Sequence, residues 1–352
     1  MRMACVFALA ITGALPNPYL SSTAIANAVD EQKLYEKAQG SMDGYPEDPE
    51  GLSTAEKLIQ QLLNSNPQSA LGHVALGRLT YKKGYINNRN YEKESLQQAH
   101  VHFSRALTIS PRSFDAHYYG AYPFIYENNY QRAKEMAETA RQINPEAPQV
   151  DLLLANIAIR EKDYKEVERR AQRVLSATSD KKLLEAAHSL LASVYKSRQR
   201  YDLAEKSYSS ILELTPNSPW ANINYSSFLI SQGRYDKAID YGKKALALMD
   251  FGMGHHVLGR AYYKKGAELL WQRKQPGEST NYFALAVQQN PADADAYYGL
   301  GLSRYHTGHS TKNISELEKA EQALMTAVRL KPDHKQAQEA LSRLRQLLQV
   351  VK

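Results

Sequence analysis

Cysteine is almost absent from this chain: Cys5 is the only one among 352 residues. It lies inside an apolar run, Ala4 to Leu15, close to the N-terminus. The chain therefore has no intrachain disulfide, and beyond residue 5 it has no thiolate nucleophile and no cysteine-ligated metal. The apolar run is also too short to cross a membrane as a helix, which needs about 20 residues.

Motifs that mark common enzyme classes are missing as well. The sequence contains no G-x-S-x-G, no G-x-x-x-x-G-K-S/T and no H-E-x-x-H, so it lacks the nucleophile elbow, the phosphate-binding loop and the zinc-peptidase helix. The carboxylates are scattered, which is typical of solvated helix surfaces rather than of a catalytic pair. These absences predict a protein that is not an enzyme and that uses no cofactor.

The N-terminus carries the pattern of a secretory signal peptide. Arg2 precedes the apolar run, a polar stretch follows, and small residues stand at Ala24, Ala26 and Ala28. This order of charged, apolar and A-x-A segments predicts a signal peptide over residues 1–28, cleaved after Ala26 or Ala28. We therefore expect an exported protein, periplasmic or secreted, without a transmembrane segment after cleavage. A retained membrane anchor is the alternative.

The charge balance is mildly basic, with 44 Lys and Arg against 37 Asp and Glu and a formal charge of +7. No run of five or more like charges occurs, so the chain has no basic tail. The basic residues are not interleaved with aromatics as in nucleic-acid-binding modules, so we expect no nucleic-acid partner. An anionic partner such as a charged polysaccharide remains an alternative.

A repeated segment of about 34 residues runs through most of the sequence. Its closing prolines recur at Pro111, Pro145, Pro216, Pro291 and Pro332. Within each segment apolar residues follow the i, i+3, i+4 spacing of amphipathic helices, and the closing proline cannot continue a helix. His73, His117, His188 and His255 occupy the same place in four different segments. That shared place predicts packing residues and no metal site.

These segments resemble the tetratricopeptide repeat (TPR), whose pattern is W-x-x-L-G-x-x-Y, then A-x-x-x-F, then P. The segment HSLLASVYKSRQRYDLAEKSYSSILELTP follows the whole pattern with Leu191, Ala192, Tyr195, Tyr201, Ala204, Tyr208, Ile211 and Pro216. The resemblance implies an all-α, right-handed superhelical solenoid of about eight helix-turn-helix units. We place this array at residues 29–332, and a C-terminal capping helix at residues 333–352.

Three of the units are longer than the pattern. The extra residues lie around GYINNRNYEKES in the second unit, AELLWQRKQPGE in the seventh and GHSTKNISELEK in the eighth. All three insertions are predicted at the turn between the two helices of their unit, on one edge of the array. Insertions on one edge mark a binding surface in some repeat proteins, but long surface loops are also tolerated at little cost. Both interpretations stay open.

The resemblance also implies where a partner would bind, because ligand contacts in TPR arrays come from fixed places of the first helices, which line the concave groove. These places predict a partner-binding groove formed by Arg78, Tyr81, Tyr118, Tyr122, Tyr126, Asn156, Trp220, Arg260, Tyr263, Lys264, Tyr298 and Tyr305. The expected function is a non-enzymatic extracytoplasmic scaffold or adaptor that binds a protein or peptide partner. The alternative is a component of an envelope polysaccharide-export or assembly machinery that binds anionic glycan or a secretion partner.

Overall fold

The computed structural model of the chain describes residues 22–43, 50–87 and 90–351, and nearly all of them are helical. Residues 1–21, which make up most of the predicted signal peptide, lie outside the described residues. The two predicted cleavage positions, Ala26 and Ala28, fall within the first described helix. The chain divides into an N-terminal unit, Met1–Arg200, and a C-terminal unit, Tyr201–Lys352.

The described part of the N-terminal unit contains four helix pairs, a short β-hairpin and one further helix. Its elements are α1 (Ser22–Asp43), α2 (Glu50–Ser65), α3 (Ala70–Lys83), β1 (Tyr85–Asn87), β2 (Asn90–Tyr91), α4 (Lys93–Ile109), α5 (Phe114–Tyr126), α6 (Tyr130–Ile143), α7 (Pro148–Arg160), α8 (Tyr164–Ala177) and α9 (Lys181–Ser197). Each odd-numbered helix from α1 to α7 packs against the helix that follows it, and α9 packs on α8.

The C-terminal unit begins with one helix and then continues in pairs. Its elements are α10 (Tyr201–Leu214), α11 (Pro219–Ser231), α12 (Tyr235–Leu248), α13 (Gly252–Ala267), a π-helical turn (Glu268–Gln272), α14 (Pro276–Gln289), α15 (Ala294–Thr311), α16 (Ile314–Leu330) and α17 (Lys335–Val351). The pairs are α11 with α12, α13 with α14 and α15 with α16, while α17 packs on α16. We number these pairs sixth, seventh and eighth, because α9 and α10 take the fifth place in chain order. The predicted all-α repeat class is confirmed.

Most pairs are separated from the next by the same short signal. A proline follows the second helix, and in several pairs a side chain two residues later caps the next first helix. The exceptions are α8 and α12, which no proline follows, and α7, whose first turn has no capping side chain. Ser113 shows how this works, because its hydroxyl accepts a hydrogen bond from the backbone N–H of Ala116 at 3.3 Å. Ser218 and Asp293 cap α11 and α15 in the same way. Such caps satisfy donors that the first turn of a helix leaves free.

Small residues allow the two helices of a pair to approach closely. A Cβ atom added to Gly77 would lie 3.1 Å from the ring of Phe103 on the second helix, and one added to Gly301 would lie 2.6 Å from Leu324. On the second helices, Ala133, Ala204 and Ala238 are fully buried. The side chain of one helix therefore fills the space that the small residue of its partner leaves open, which is why the sequence pattern requires small residues there.

The three inserted segments adopt two different structures. In the second pair the extra residues form the hairpin β1–β2, in which Tyr85 pairs with Tyr91. In the seventh pair they instead lengthen the first helix, which continues from α13 into the π-helical turn. In the eighth pair α15 and α16 are both long and are joined at Lys312, which has a left-handed backbone. The prediction that all three emerge as turn insertions is therefore wrong for the seventh and eighth pairs, because the helices absorb the added residues.

The last helix, α17, covers the exposed side of the eighth pair. Leu344 and Leu348 are buried against Leu317 and Leu324 of α16. Arg345 pairs with Glu321 at 2.7 Å on the outer side. An apolar inner side and a polar outer side suit a helix that ends a repeat array, although the boundaries proposed for this segment stay a prediction.

Candidate functional site

We call the surface built by the first helix of each pair the first-helix face. Adjacent first helices contact one another in both units, for example α3 with α5 in the N-terminal unit and α11 with α13 in the C-terminal unit. Because residues four apart lie above one another on a helix, positions such as 118, 122 and 126 share one side of α5. The predicted groove residues can therefore be located within each unit separately.

Arg78 lies inside the first-helix face of the N-terminal unit, only 7% exposed. Its guanidinium donates to the backbone and the side chain of Gln39 and forms an ion pair with Asp43, both on α1. It also lies 4.6 Å from the centre of the Tyr119 ring on α5. The arginine thus ties α1, α3 and α5 together, and most of its hydrogen-bonding capacity is used within the protein.

Six tyrosines form a continuous group beside this arginine, which we call the tyrosine cluster. It consists of Tyr81, Tyr85, Tyr91, Tyr118, Tyr122 and Tyr126. The closest ring pair is Tyr91 and Tyr126, whose centroids are 4.0 Å apart. Tyr122 lies 6.4 Å from both Tyr81 and Tyr126. The structure therefore brings together all four tyrosines predicted for this part of the groove and adds Tyr85 and Tyr91 from the hairpin.

The hydroxyl groups of the four predicted tyrosines remain protonated. Burial is the first cause that raises the pKa of Tyr81, Tyr118, Tyr122 and Tyr126 above the usual value, and neighbouring tyrosines raise that of Tyr122 further. The hydroxyls of Tyr118 and Tyr122 are 3.2 Å apart and share a hydrogen bond. The cluster thus offers neutral hydroxyl groups on a largely apolar aromatic surface.

Helix α1 contributes further residues to this face that were not predicted from the sequence. The Tyr35 hydroxyl donates to the Asp115 carboxylate at 2.7 Å, and Gln39 and Asp43 hold Arg78. Burial raises the pKa of Asp115, while Tyr35 and Arg78 oppose that shift. The repeat pattern is weak in α1. The positions of Tyr35, Gln39 and Asp43 could be found only by extending the spacing of the later units towards the N-terminus.

Asn156 lies on the next first helix, α7, with an exposed side chain. Its amide nitrogen donates to the backbone carbonyl of Leu152 at 3.0 Å, one turn earlier in the same helix. This bond leaves the amide oxygen for another partner. Asn156 takes no part in the ring contacts of the tyrosine cluster.

In the C-terminal unit, two of the three predicted groove residues of α13, Arg260 and Lys264, are exposed cations, and the third, Tyr263, is half-buried. Arg260 donates to the hydroxyl of Ser227 on α11 at 3.0 Å. The ammonium group of Lys264 lies 5.9 Å from the centre of the Tyr263 ring. Among the described residues, neither Arg260 nor Lys264 forms an ion pair with a carboxylate. This part of the first-helix face therefore presents uncompensated positive charge beside an aromatic ring.

Tyr263 and Tyr298 meet in a cleft of about 480 Å³ between α13, α15 and the start of α17. Charged side chains of both signs, Asp295, Lys331, Asp333 and Lys335, line the rest of the cleft together with His334. Burial is the main cause that raises the pKa of both tyrosines, so their hydroxyls stay neutral. The cleft can provide hydrogen bonds from tyrosine hydroxyls and contacts to groups of either charge.

Two further predicted residues lie at the margins of the C-terminal face. Tyr305 packs against the apolar group between α16 and α17 and lies 5.3 Å from the His306 ring. Trp220, at the start of α11, is 38% exposed, and its ring centroid lies 4.9 Å from that of Phe251. Both side chains thus pack partly against other residues of the protein, and both retain accessible ring surface.

The recurring histidines make contacts within the fold. His255 contacts Asp250 at 2.6 Å and Gln289 at 2.7 Å. Among the described residues, no group of three or more His, Cys, Asp or Glu side chains is placed so that it could hold a metal ion. None of the described helices is both long enough and apolar enough to span a bilayer.

Comparison with family models and known proteins agrees with the repeat pattern. A family model described as tetratricopeptide repeat matches residues 124–194. A second model with the same description matches residues 189–250 and 264–324. Together the two models cover more than half of the chain.

The human tetratricopeptide repeat protein 16 is 29% identical over 106 residues, which are 30% of this chain and only 12% of that protein. The C-terminal part of a TPR repeat-containing protein from Cytophaga hutchinsonii superposes with a TM-score of 0.56 at 15% identity, over 76% of this chain and 99% of that one. Human IFIT1, in a structure described as a dimer with m7Gppp-AAAA, gives a TM-score of 0.53 at 14% identity, over 90% of this chain and 72% of that one. At such low identity these likenesses show the fold alone.

Proposed function

The chain belongs to the tetratricopeptide-repeat family, and we propose that it is a non-enzymatic adaptor that holds a segment of a partner protein against its first helices. TPR proteins in general mediate contacts between proteins, and a fold of this kind specifies a scaffold rather than a reaction. The side chains of the first helices, and not the fold, therefore determine which partner is bound and which unit binds it.

The main support for this proposal comes from the exposed and unpaired side chains of α13 in the C-terminal unit. Arg260 and Lys264 are exposed and have no carboxylate partner among the described residues, and Tyr263 stands beside them. Arginine and tyrosine are among the residues that contribute most to binding at protein interfaces. By contrast, Arg78 in the N-terminal unit is buried and held by Gln39 and Asp43. The C-terminal first-helix face therefore offers more unused binding capacity.

A site-specific crosslinking experiment tests this function. A photoreactive benzoylphenylalanine would replace His256, which is exposed on α13 one turn before Arg260. The control would replace Lys244, which is exposed on α12, a second helix. We expect illumination in extracts of the native cells to attach the His256 variant, but not the Lys244 variant, to one protein that mass spectrometry can identify. Equal crosslinking from both positions would argue against a binding site on the first helices.

We also propose that the adaptor works outside the cytoplasm. The support is the sequence alone: Arg2, the apolar run from Ala4 to Leu15 and the small residues at Ala24, Ala26 and Ala28 follow the order of a signal peptide. N-terminal sequencing of the protein isolated from its native cells should then begin near Asn27 or Val29. An intact Met1 on protein recovered from the cytoplasmic fraction would contradict export.

A further inference from the structure

The first-helix face of α13 carries a row of two cationic side chains, Arg260 and Lys264, that have no ion-pair partner among the described residues. Together with His256 they are spaced four residues apart, so all three lie along one side of the helix. All three are exposed. Arg260 bonds only to the neutral hydroxyl of Ser227, and Lys264 faces a tyrosine ring. No carboxylate in the described parts of the chain lies within ion-pair distance of Arg260 or Lys264.

Two adjacent lysines of α13 have different environments, so the absence of an ion pair at Lys264 is specific to that position. Lys265 follows Lys264 directly, but it is buried and pairs with Asp236 at 2.8 Å and with Glu268 at 3.6 Å. The helix thus places one lysine in an ion pair on its inner side and leaves the other unpaired on the first-helix face. The unpaired charges are confined to the side on which the proposed partner would lie.

A further cation lies near the neighbouring helix α15. His306 and His309 are exposed on that helix. Burial is the first cause that lowers the pKa of His306, and the nearby His309 and Lys274 lower it further. Lys274 therefore adds positive charge close to this face, whereas His306 stays neutral.

The acidic side chains of this face lie at the end opposite the cationic row of α13, and some of them already have partners within the protein. The Asp295 carboxylate lies 3.1 Å from the His334 imidazole. Asp293 accepts a hydrogen bond from the backbone N–H of Ala296, as the cap of α15. Asp333, Lys331 and Lys335 line the mixed cleft around Tyr263 and Tyr298. The C-terminal first-helix face thus has two regions. One is the cationic row of α13, and the other, beyond Tyr263, is the cleft with charges of both signs.

From this distribution we propose that the first-helix face of α11, α13 and α15 binds an acidic peptide segment that contains aromatic side chains. Carboxylates of the segment would lie against Arg260 and Lys264, and its rings would lie against Tyr263 and Tyr305. A uniformly anionic polysaccharide fits less well, because Asp333 and Asp295 would repel it at the mixed cleft. This inference rests on the proposed adaptor function and names the chemistry of the segment that is held.

Three synthetic peptides of equal length provide the probe. One alternates Glu and Tyr, the second has Gln in place of every Glu, and the third has Lys in place of every Glu. Binding to the full chain would be measured by fluorescence anisotropy at about 50 mM and about 500 mM salt, since exposed charges are screened over that range. We expect the Glu peptide to bind about tenfold more tightly than the Gln peptide at low salt and the Lys peptide to bind most weakly.

Two double variants, each of which loses two positive charges, show which surface of the protein is responsible for the preference for the Glu peptide. Arg260→Gln with Lys264→Gln removes the row on α13, whereas Lys243→Gln with Lys244→Gln removes two exposed charges from α12. We expect only the first to bring the affinity for the Glu peptide down to that for the Gln peptide. If both double variants weaken binding equally, the net charge of the protein and not this face is responsible, and the inference fails.

The remaining outcomes separate this inference from the proposed function. Equal binding of the Glu and Gln peptides, with protection of α13 amides from hydrogen exchange, would refute the acidic preference but would support a peptide-binding face. Failure of all three peptides to bind would count against both proposals. Polygalacturonate that displaced the Glu peptide at similar carboxylate concentration and also depended on Arg260 and Lys264 would show an anionic glycan as the occupant and overturn the inference.

Discussion

Tyr91 stacks on Tyr126, with ring centroids 4.0 Å apart and ring planes inclined by 21°. The two residues come from different helix pairs, because Tyr91 belongs to the inserted hairpin of the second pair and Tyr126 ends α5 of the third. Tyr91 also lies 5.5 Å from Tyr85 and 6.3 Å from Tyr81. The insertion is therefore held against the first-helix face by aromatic contacts.

We expect Tyr91→Ala to release the hairpin. The loss of a stacked ring should lower the free energy of unfolding by about 1 kcal/mol and speed hydrogen exchange of the amides in Tyr85–Asn87. Chemical denaturation and exchange mass spectrometry measure these two effects. Ile86→Ala is the matched control, because Ile86 is on the same hairpin but 57% exposed. If both variants behave alike, the stacking does not hold the hairpin.

A buried ion pair links the third and fourth pairs. The Asp151 carboxylate accepts from Arg170 at 2.9 Å and from Arg141 at 3.0 Å, and it lies 3.2 Å from Arg173. Asp151→Asn should destabilise the protein by roughly 3 kcal/mol, because it removes the charge that compensates the buried guanidinium of Arg170. Urea denaturation monitored by circular dichroism provides the measurement.

The control for this change is Glu135→Gln, which disrupts the exposed ion pair with Arg132. Exposed pairs of neighbouring helical residues contribute little. The denaturation midpoint of this variant should therefore remain that of the wild type. A small effect of Asp151→Asn, similar to that of Glu135→Gln, would mean that Glu138 and Glu166 compensate Arg170 by themselves.

The register of the repeats can be tested on one helix. Ala238→Asp would place a carboxylate where α12 packs against its neighbours without exposure to solvent. A buried, unpaired charge is strongly destabilising, so we expect a loss of several kcal/mol or failure to fold. Ala247→Asp adds the same side chain to an exposed place on the same helix and should lower the melting temperature only slightly. Equal melting temperatures would show that this register is wrong.

Glu166 should make the protein sensitive to acid. Hydrogen bonds from Arg169, and next from Arg170, lower the pKa of this carboxyl to about 2 from a usual value of 4.5. A folded-state pKa below the unfolded one means that the ionised carboxylate stabilises the fold above about pH 4.5 and that this contribution disappears as the pH falls towards about 2. Glu166→Gln should therefore lose less stability than the wild type between about pH 5 and about pH 3.

An exposed carboxylate in the same part of the chain is the control for this pH dependence. Glu161→Gln removes a side chain at the end of α7 for which the described residues provide no ion-pair partner. Its stability should follow the wild-type pH profile. If Glu166→Gln also follows that profile, the arginines do not depend on the ionised form of Glu166.

The groups that form the candidate site were predictable to different degrees. Tyr118, Tyr122 and Tyr126 were expected on one side of a helix because helical spacing alone determines that arrangement. Their mutual packing, the stacking of Tyr91 and the contacts of Arg78 with Gln39 and Asp43 were not expected. These contacts join residues from different helix pairs, and no local pattern in the sequence indicates which side chains will meet.

The sequence by itself determined the repeat class, the order of helix pairs and the need for small residues such as Gly77 and Ala238. These features depend on periodicity and helix-ending signals, which act over a few residues. Only the tertiary structure decided that Arg78 is buried and paired while Arg260 remains exposed and unpaired, although both occupy equivalent places in their repeats. The reason is that desolvation and ion pairing depend on neighbours supplied by other helices. Helix α1 supplies them for Arg78, whereas no carboxylate of the described residues pairs with Arg260.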